Sequence, residues 1–247
     1  MAKYRHLNNA PIVEAIIDFR VKLASNFDVT GFASLKETLH VDYPRVQEPR
    51  EFIAGVQFAG TQVQQVLEDK GLRGYFFRSA DEKNVVQFRK DGFTFSRLKP
   101  YTEWEAVLGE AKRLWDLYRA ASSPELVTRI ALRYINQLSI PLPIKGFADY
   151  LTAPPTLPET LPQGLSQFMT RMVVCDAATD IWANITQALP PSTKPNEVTI
   201  ILDIDVYKQR ESGFEESNIW PMFEQLRTLK NQIFFDSISE KAARLFE

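Results

Sequence analysis

Cysteine and histidine are nearly missing from this chain of 247 residues: Cys175 is its one thiol, and His6 and His40 are its two imidazoles. A single thiol excludes an internal disulfide framework and any multi-cysteine zinc site. The two histidines lie far apart in sequence and show no metal-ligand spacing. His6 precedes the first predicted strand. His40 ends a predicted helix, where the helix dipole gives it a role without catalysis. Cys175, in the string MVVCDA, reads as a small buried group, because no base or electropositive setting for a nucleophile is identifiable around it. Glycine is also scarce, at 10 residues. No Gly-x-Gly-x-x-Gly, Walker loop, Gly-x-Ser-x-Gly or His-Glu-x-x-His occurs, which excludes the motif-bearing nucleotide enzymes and hydrolases. No apolar run approaches the ~20 residues that cross a membrane. The start, MAKYRHLNNAPIVEA, has no signal-peptide core, so the expected compartment is the cytoplasm. Neither sign of charge dominates. Lys plus Arg number 29 and Asp plus Glu 31, a net charge of −2. That excludes a general field for nucleic acid and leaves room for a local basic patch.

What is present is the make-up of a folded protein, 45% hydrophobic, 12% aromatic and 24% charged,. The length allows one large domain or two half-size lobes. Residues 11–23, PIVEAIIDFRVKL, alternate as a strand. Val13, Ala15, Ile17, Phe19 and Val21 share one face, with Glu14, Ile16, Asp18 and Arg20 on the other. Phe32, Leu35 and Leu39 then space a short amphipathic helix within 31–43. Residues 51–60 read as a strand, and 61–70 as a polar loop or helical turn. Further strands lie in 72–79 and 84–98, the second split into a hairpin at Asp91-Gly92. The spacing of Trp104, Val107, Leu108, Ala111, Leu114, Trp115 and Tyr118 predicts a helix over 102–121, with Thr102 and Glu105 as a capping box.

The second half begins alike. Residues 127–140 alternate, with Ile130, Leu132, Tyr134, Leu138 and Ile140 on one face and Arg129, Arg133 and Gln137 on the other. A short helix is predicted at 144–151. Pro154, Pro155, Pro158 and Pro162 make 153–162 a stiff extended loop. Strands follow at 165–175, 180–189 and 197–207. A helix capped by Ser217 or Asn218 carries Ile219, Phe223 and Leu226, and a second cap pattern, Ser237 to Glu240, restarts helix to the end.

Both halves therefore read strand, short helix, several antiparallel strands, long helix. The expectation is an α+β fold, mainly antiparallel, built from two β-α-β-β-β-α halves at 1–122 and 123–247. The two long helices would pack on one face of a continuous sheet, in a saddle or helix-grip arrangement. The order of elements repeats; the residues do not. Such an arrangement occurs in folds like those of the TATA-binding protein and of lipid-transfer proteins, which says nothing about activity.

The strings Asn9-Ala10-Pro11-Ile12-Val13-Glu14-Ala15 and Arg133-Tyr134-Ile135-Asn136 resemble a sporadically distributed family of bacterial and archaeal proteins of about this length. The resemblance covers essentially the whole chain. It implies carriage on mobile or defence-linked gene clusters and assigns no activity, so it supplies no catalytic residues.

Alternation places Glu14 and Asp18, and Asp203 and Asp205, on polar strand faces. Such carboxylates can hold Mg²⁺ or Mn²⁺, because hard cations take oxygen ligands. Arg129, Arg133 and Gln137, joined by Arg89, can fork onto a phosphate. The plainer reading is cross-strand ion pairing. Over 73–99, cations (Arg73, Arg78, Arg89, Lys90, Arg97, Lys99) interleave with aromatics (Tyr75, Phe76, Phe77, Phe88, Phe93, Phe95). That pattern suits single-stranded nucleic acid if the rings face outward, and a core if they face inward. Trp104 and Trp115 read as core or interface anchors. The leading expectation is a non-catalytic binding or interaction module with a protein partner or as a homodimer, needing no cofactor. One alternative is a metal-dependent enzyme acting on a phosphate-containing substrate. The other is a helix-grip protein for a small ligand, with Trp182 or the proline loop at the mouth of its cavity.

Overall fold

The computed structural model describes residues 1–59, 62–191 and 194–247, with the side chains of 53–68 outside that description. Strand β1 (Ile12–Lys22) buries Ala15, Ile17, Phe19 and Val21 and leaves Glu14, Ile16, Asp18 and Arg20 half-exposed, as its alternation requires,. A 3₁₀ turn, Val29–Ser34, is capped by the Asp28 carboxylate and runs into α1 (Leu35–Leu39). Together they bury Phe32, Leu35 and Leu39, the three residues whose spacing predicts this helix.

Strand β2 (Arg45–Gln47) is short, and β3 (Arg50–Ala59) pairs antiparallel with β4 (Gln62–Leu72). Here the expected loop or helical turn at 61–70 gives way to a strand. Ladder bonds to β3 override the weak local preference of a polar segment. Residues 60 and 61, part of those two readings, lie outside the described residues. Strands β5 (Gly74–Arg78), β6 (Asn84–Arg89) and β7 (Gly92–Leu98) form an antiparallel meander. The β6–β7 turn is Lys90-Asp91, and Gly92 opens β7. The glycine is needed there, because an added Cβ would stand 2.1 Å from the Phe19 carbonyl oxygen.

Helix α2 (Trp104–Ser122) follows the predicted stripe and buries Trp104, Val107, Ala111, Leu114, Trp115 and Tyr118. The Thr102–Glu105 capping box does not form. Glu103 occupies the N-cap without a side-chain cap bond, which leaves Thr102 one residue too early to reach the first turn,. Strand β8 (Leu126–Pro141) and the 3₁₀ turn Phe147–Asp149 come next. Then come β9 (Phe168–Asp176), β10 (Ile181–Leu189) and β11 (Glu197–Gln209). Helix α3 (Glu216–Ser237) starts with Glu215 as N-cap, ahead of the Ser217 or Asn218 expected. In α4 (Glu240–Ala243) the cap is Ser239, whose hydroxyl accepts from the Ala242 N–H at 3.1 Å, two residues beyond the predicted Ser237.

Among the described residues the fold is α+β. Its main sheet has nine strands in the order β2-β5-β6-β7-β1-β8-β11-β10-β9, and β3-β4 form a second. Two compact units divide the chain. One holds residues 1–18, 98–101 and 129–247; the other holds 19–97 and 102–128. These units are drawn differently from the halves 1–122 and 123–247, since the first eighteen residues go with the later part of the chain. In the first unit α3 packs on β11, whose buried face carries Ile200, Leu202, Ile204 and Val206. In the second, Trp115 of α2 stacks on Phe19 with ring centroids 4.1 Å apart, and Phe32, Phe88, Phe93 and Tyr118 close the aromatic core around them.

Candidate functional site

The first unit assembles the polar residues singled out by alternation. Period-two geometry turns Glu14 and Asp18 of β1, Arg129, Arg133 and Gln137 of β8, and Asp203 and Asp205 of β11 onto the face opposite the buried aliphatic residues,. Register brings them into range. Asp205 is opposite Arg133 on one side and Asn184 of β10 on the other, and Asp203 is opposite Ile135 and Thr186.

The bonds run diagonally across this ladder. Arg129 donates to Asp18 Oδ1 at 3.0 Å and to Asp205 Oδ2 at 3.0 Å. Asn184 Nδ2 donates to the same Asp205 oxygen at 3.2 Å, and Arg171 Nη2 donates to Asn184 Oδ1 at 3.2 Å. Arg133 grips Asp203 through two nitrogens, Nε at 2.8 Å and Nη2 at 2.5 Å. The Arg129 guanidinium also lies 4.5 Å above the Tyr207 ring, an orientation that the ring's electron-rich face favours,. The hydrogen bond to Asp203 holds Arg133 above the ordinary arginine value against the opposing effect of burial, with Asp205 and Glu14 adding at longer range. Gln137 belongs to the same face, and its N–H bonds the Pro11 carbonyl at 2.8 Å.

The chemistry of this face follows from that pairing. The Asp18, Asp203 and Asp205 oxygens accept from guanidinium groups, which compete with any cation for the same lone pairs,. Among the described residues no three His, Cys, Asp or Glu side chains come together as a metal cage. Of the four carboxylates considered for Mg²⁺ or Mn²⁺, Asp18, Asp203 and Asp205 are thus engaged by arginine.

Arg89 does not join this constellation. It belongs to the second unit, is 4% exposed, and donates to Asp91, Gln87 and Thr94 at 3.0, 2.6 and 2.9 Å. A guanidinium so surrounded is a structural tie between β6, β7 and their turn. In the basic-aromatic run 73–99 most rings face the core, and Phe76 is half-buried. Tyr75, Phe77, Phe88, Phe93 and Phe95 are buried, so those rings are not available to stack on bases. Trp104 and Trp115 are core.

Cys175 is a correction: it is exposed, because β9 ends the sheet and neither of its faces is covered there. Met169, Met172, Val173 and Val174 are exposed with it, as is Trp182 on β10 opposite Cys175. Sequence reasoning also passed over Asn184, Arg171 and Tyr207. The signal for Tyr207 was available, since it continues the alternation of Asp203 and Asp205. Arg171 and Asn184 needed the β9–β10 register.

The chain matches no protein-family profile and no curated protein. Its function is therefore read from geometry. Among the described residues no helix is long and apolar enough to cross a membrane.

Proposed function

We propose that this protein is a non-catalytic binding or interaction module, an accessory component of a mobile or defence-linked gene cluster. It works through a protein partner or a second copy of itself. One observation carries the reading. Met169, Met172, Val173, Val174 and Trp182 form an exposed apolar margin on β9 and β10, the kind of surface that contacts a partner,. The ion-paired face beside it supports the same reading. Arginines and carboxylates that satisfy one another stiffen a scaffold; they do not offer a reactive group.

The fold reading that accompanies this proposal is a duplication with helices gripping one face of the sheet. The strand order supports it. From the sheet centre outward, β1-β7-β6-β5 on one side and β8-β11-β10-β9 on the other run through equivalent positions of the two halves.

Metal titration followed by thermal melting separates the module from metal-dependent chemistry on a phosphate-containing substrate. We expect no saturable rise in Tm with Mg²⁺ or Mn²⁺. A rise that Asp203→Asn abolishes would overturn the proposal. Titration with the purified products of the adjacent genes supplies the positive arm. One of them, or the chain itself, binds, and Trp182→Ala weakens that binding by about tenfold or more, as loss of an aromatic anchor does.

A further inference from the structure

The two ends of the main sheet are built differently. At one end β2 is three residues long, and its Arg45 makes an ion pair with Glu82. Short length and charge are the usual means of keeping an edge from pairing. At the other end β9 runs for nine residues, and its two charges, Arg171 and Asp176, leave the run Met172–Cys175 between them uncharged. It contains no proline, and its pairing with β10 is regular from Phe168 to Asp176, without a bulge. Its outer backbone edge has no hydrogen-bonded neighbour among the described residues.

Over Met172–Cys175 both faces of that strand are apolar and open. Met169, Val173 and Cys175 share the face of Trp182, while Met172 and Val174 share the other. All five are exposed. A chain that left such an edge bare would aggregate through it. The occupant that satisfies a bare edge of backbone donors and acceptors is another strand.

We infer that the occupant is β9 of a second copy, paired antiparallel about a twofold axis that passes through Val173. This rests on the interaction-module reading and names its partner. Three features of the strand select this pairing. First, its charges are at opposite ends of the run Met172–Cys175, Arg171 before it and Asp176 after it. Arg171 and Asp176 project from opposite faces, and an antiparallel copy keeps each away from its own kind, whereas a parallel copy in register would stack Arg171 on Arg171 and Asp176 on Asp176. Second, a twofold axis perpendicular to the sheet keeps each residue on its own face, so only residues of like parity can stand opposite one another. Third, the register centred on Val173 sets Thr170 opposite Asp176, where a hydroxyl meets a carboxylate. It also sets Met172 opposite Val174 and Arg171 opposite Cys175. The neighbouring register, centred on Met172, would put the Asp176 carboxylate against the Phe168 ring. Among the described residues the main sheet has one such edge and a blunted opposite end, so association through that sheet closes at two.

The test is the oligomeric state of the full chain and of variants that place charge on both faces of β9. By light scattering after size exclusion, the wild type has twice the chain mass at about 100 μM, well above the micromolar dissociation constants of transient pairs. The double variant Val173→Lys, Val174→Lys runs at the chain mass with unchanged circular dichroism. In a Cys175→Ser background, Val173→Cys forms a disulfide-linked dimer under mild oxidation, and Met169→Cys, four residues from the axis, does not. A wild type that stays monomeric, a charged variant that remains dimeric, or a ladder of higher oligomers would each sink the pairing. If the wild type is monomeric and still binds the product of an adjacent gene, the interaction module stands and only its partner is wrong. If it binds neither, both fail.

Discussion

Single side chains explain why arginine holds the carboxylates of the candidate site and where the molecule is sensitive to pH. Asp18, Asp205 and Arg129 are about one-fifth exposed or less, so their mutual bonds are partly shielded from solvent. Lys230 is a sharper case. It lies on the buried side of α3 with Nζ 3.8 Å from the Tyr134 ring centroid. Tyr134 in turn shares a hydrogen bond with the Tyr101 hydroxyl at 3.0 Å. Burial, with the nearby Arg227 charge adding to it, pushes the Lys230 ammonium down to about 7. The aromatic face favours the charged form but does not outweigh the loss of water. An unfolded lysine titrates near about 10.4, so between those two values the unfolded chain holds a proton that the folded chain has released. Stability therefore rises as pH climbs from 7 towards 10, and below 7, where both states are protonated, the burial cost is felt in full. Lys230→Met removes that cost: its melting temperature at pH 7 exceeds the wild type, and its rise between pH 7 and 10 is lost. A Lys230→Met profile that still climbs like the wild type would contradict this assignment.

At the scale of elements, the close approach of strands decides which positions tolerate change. Gly92 opens β7 where the β1 backbone passes, and Val21 N–H bonds the Asp91 carbonyl at 3.1 Å beside it. Gly92→Ala would put a methyl group inside the van der Waals radius of the Phe19 carbonyl. Backbone must shift, at a loss of about 2 kcal/mol or more in urea denaturation. Gly109 is the opposite case, exposed in the middle of α2 with nothing within 4 Å of an added Cβ. Gly109→Ala gains about 0.5–1 kcal/mol by the same measurement, because alanine is the better helix former. Most elements were legible in the sequence. The alternation in β1, β8 and β11 and the stripe in α2 report one buried face each. Strand β4 was not legible, because its partner β3 supplies the reason for its extended form. The helix starts were misplaced by a few residues, because several neighbouring Ser, Thr, Asn and Glu residues can fill a cap and only the packed helix selects one.

At the scale of the whole molecule, the chain returns on itself. Ala2 N–H bonds the carbonyls of Phe235 and Ile238 at 3.1 and 2.9 Å, and Asn9 N–H bonds that of Phe246 at 2.9 Å. Together with the Asp18–Arg129 pair, these ties place the first residues in the same compact unit as residues 129–247. A fragment of residues 123–247 would therefore lack an integral part of its own unit. We expect it to show no cooperative thermal transition by circular dichroism, and a peptide of residues 1–22 to restore one; a cooperative melt of the fragment alone would refute this. The amino-acid sequence by itself determined the α+β class, the antiparallel strands and which residues of β1, β8 and β11 face inward, because a period of two or 3.6 is a local property of the chain. It also set the polar residues of those three strands on the opposite face. Tertiary structure alone decided that Arg89 lies in a different unit from Arg129 and Arg133, that guanidinium groups occupy the carboxylates, and that Cys175 is exposed. Those outcomes depend on strand order and register, which are fixed by partners distant in sequence.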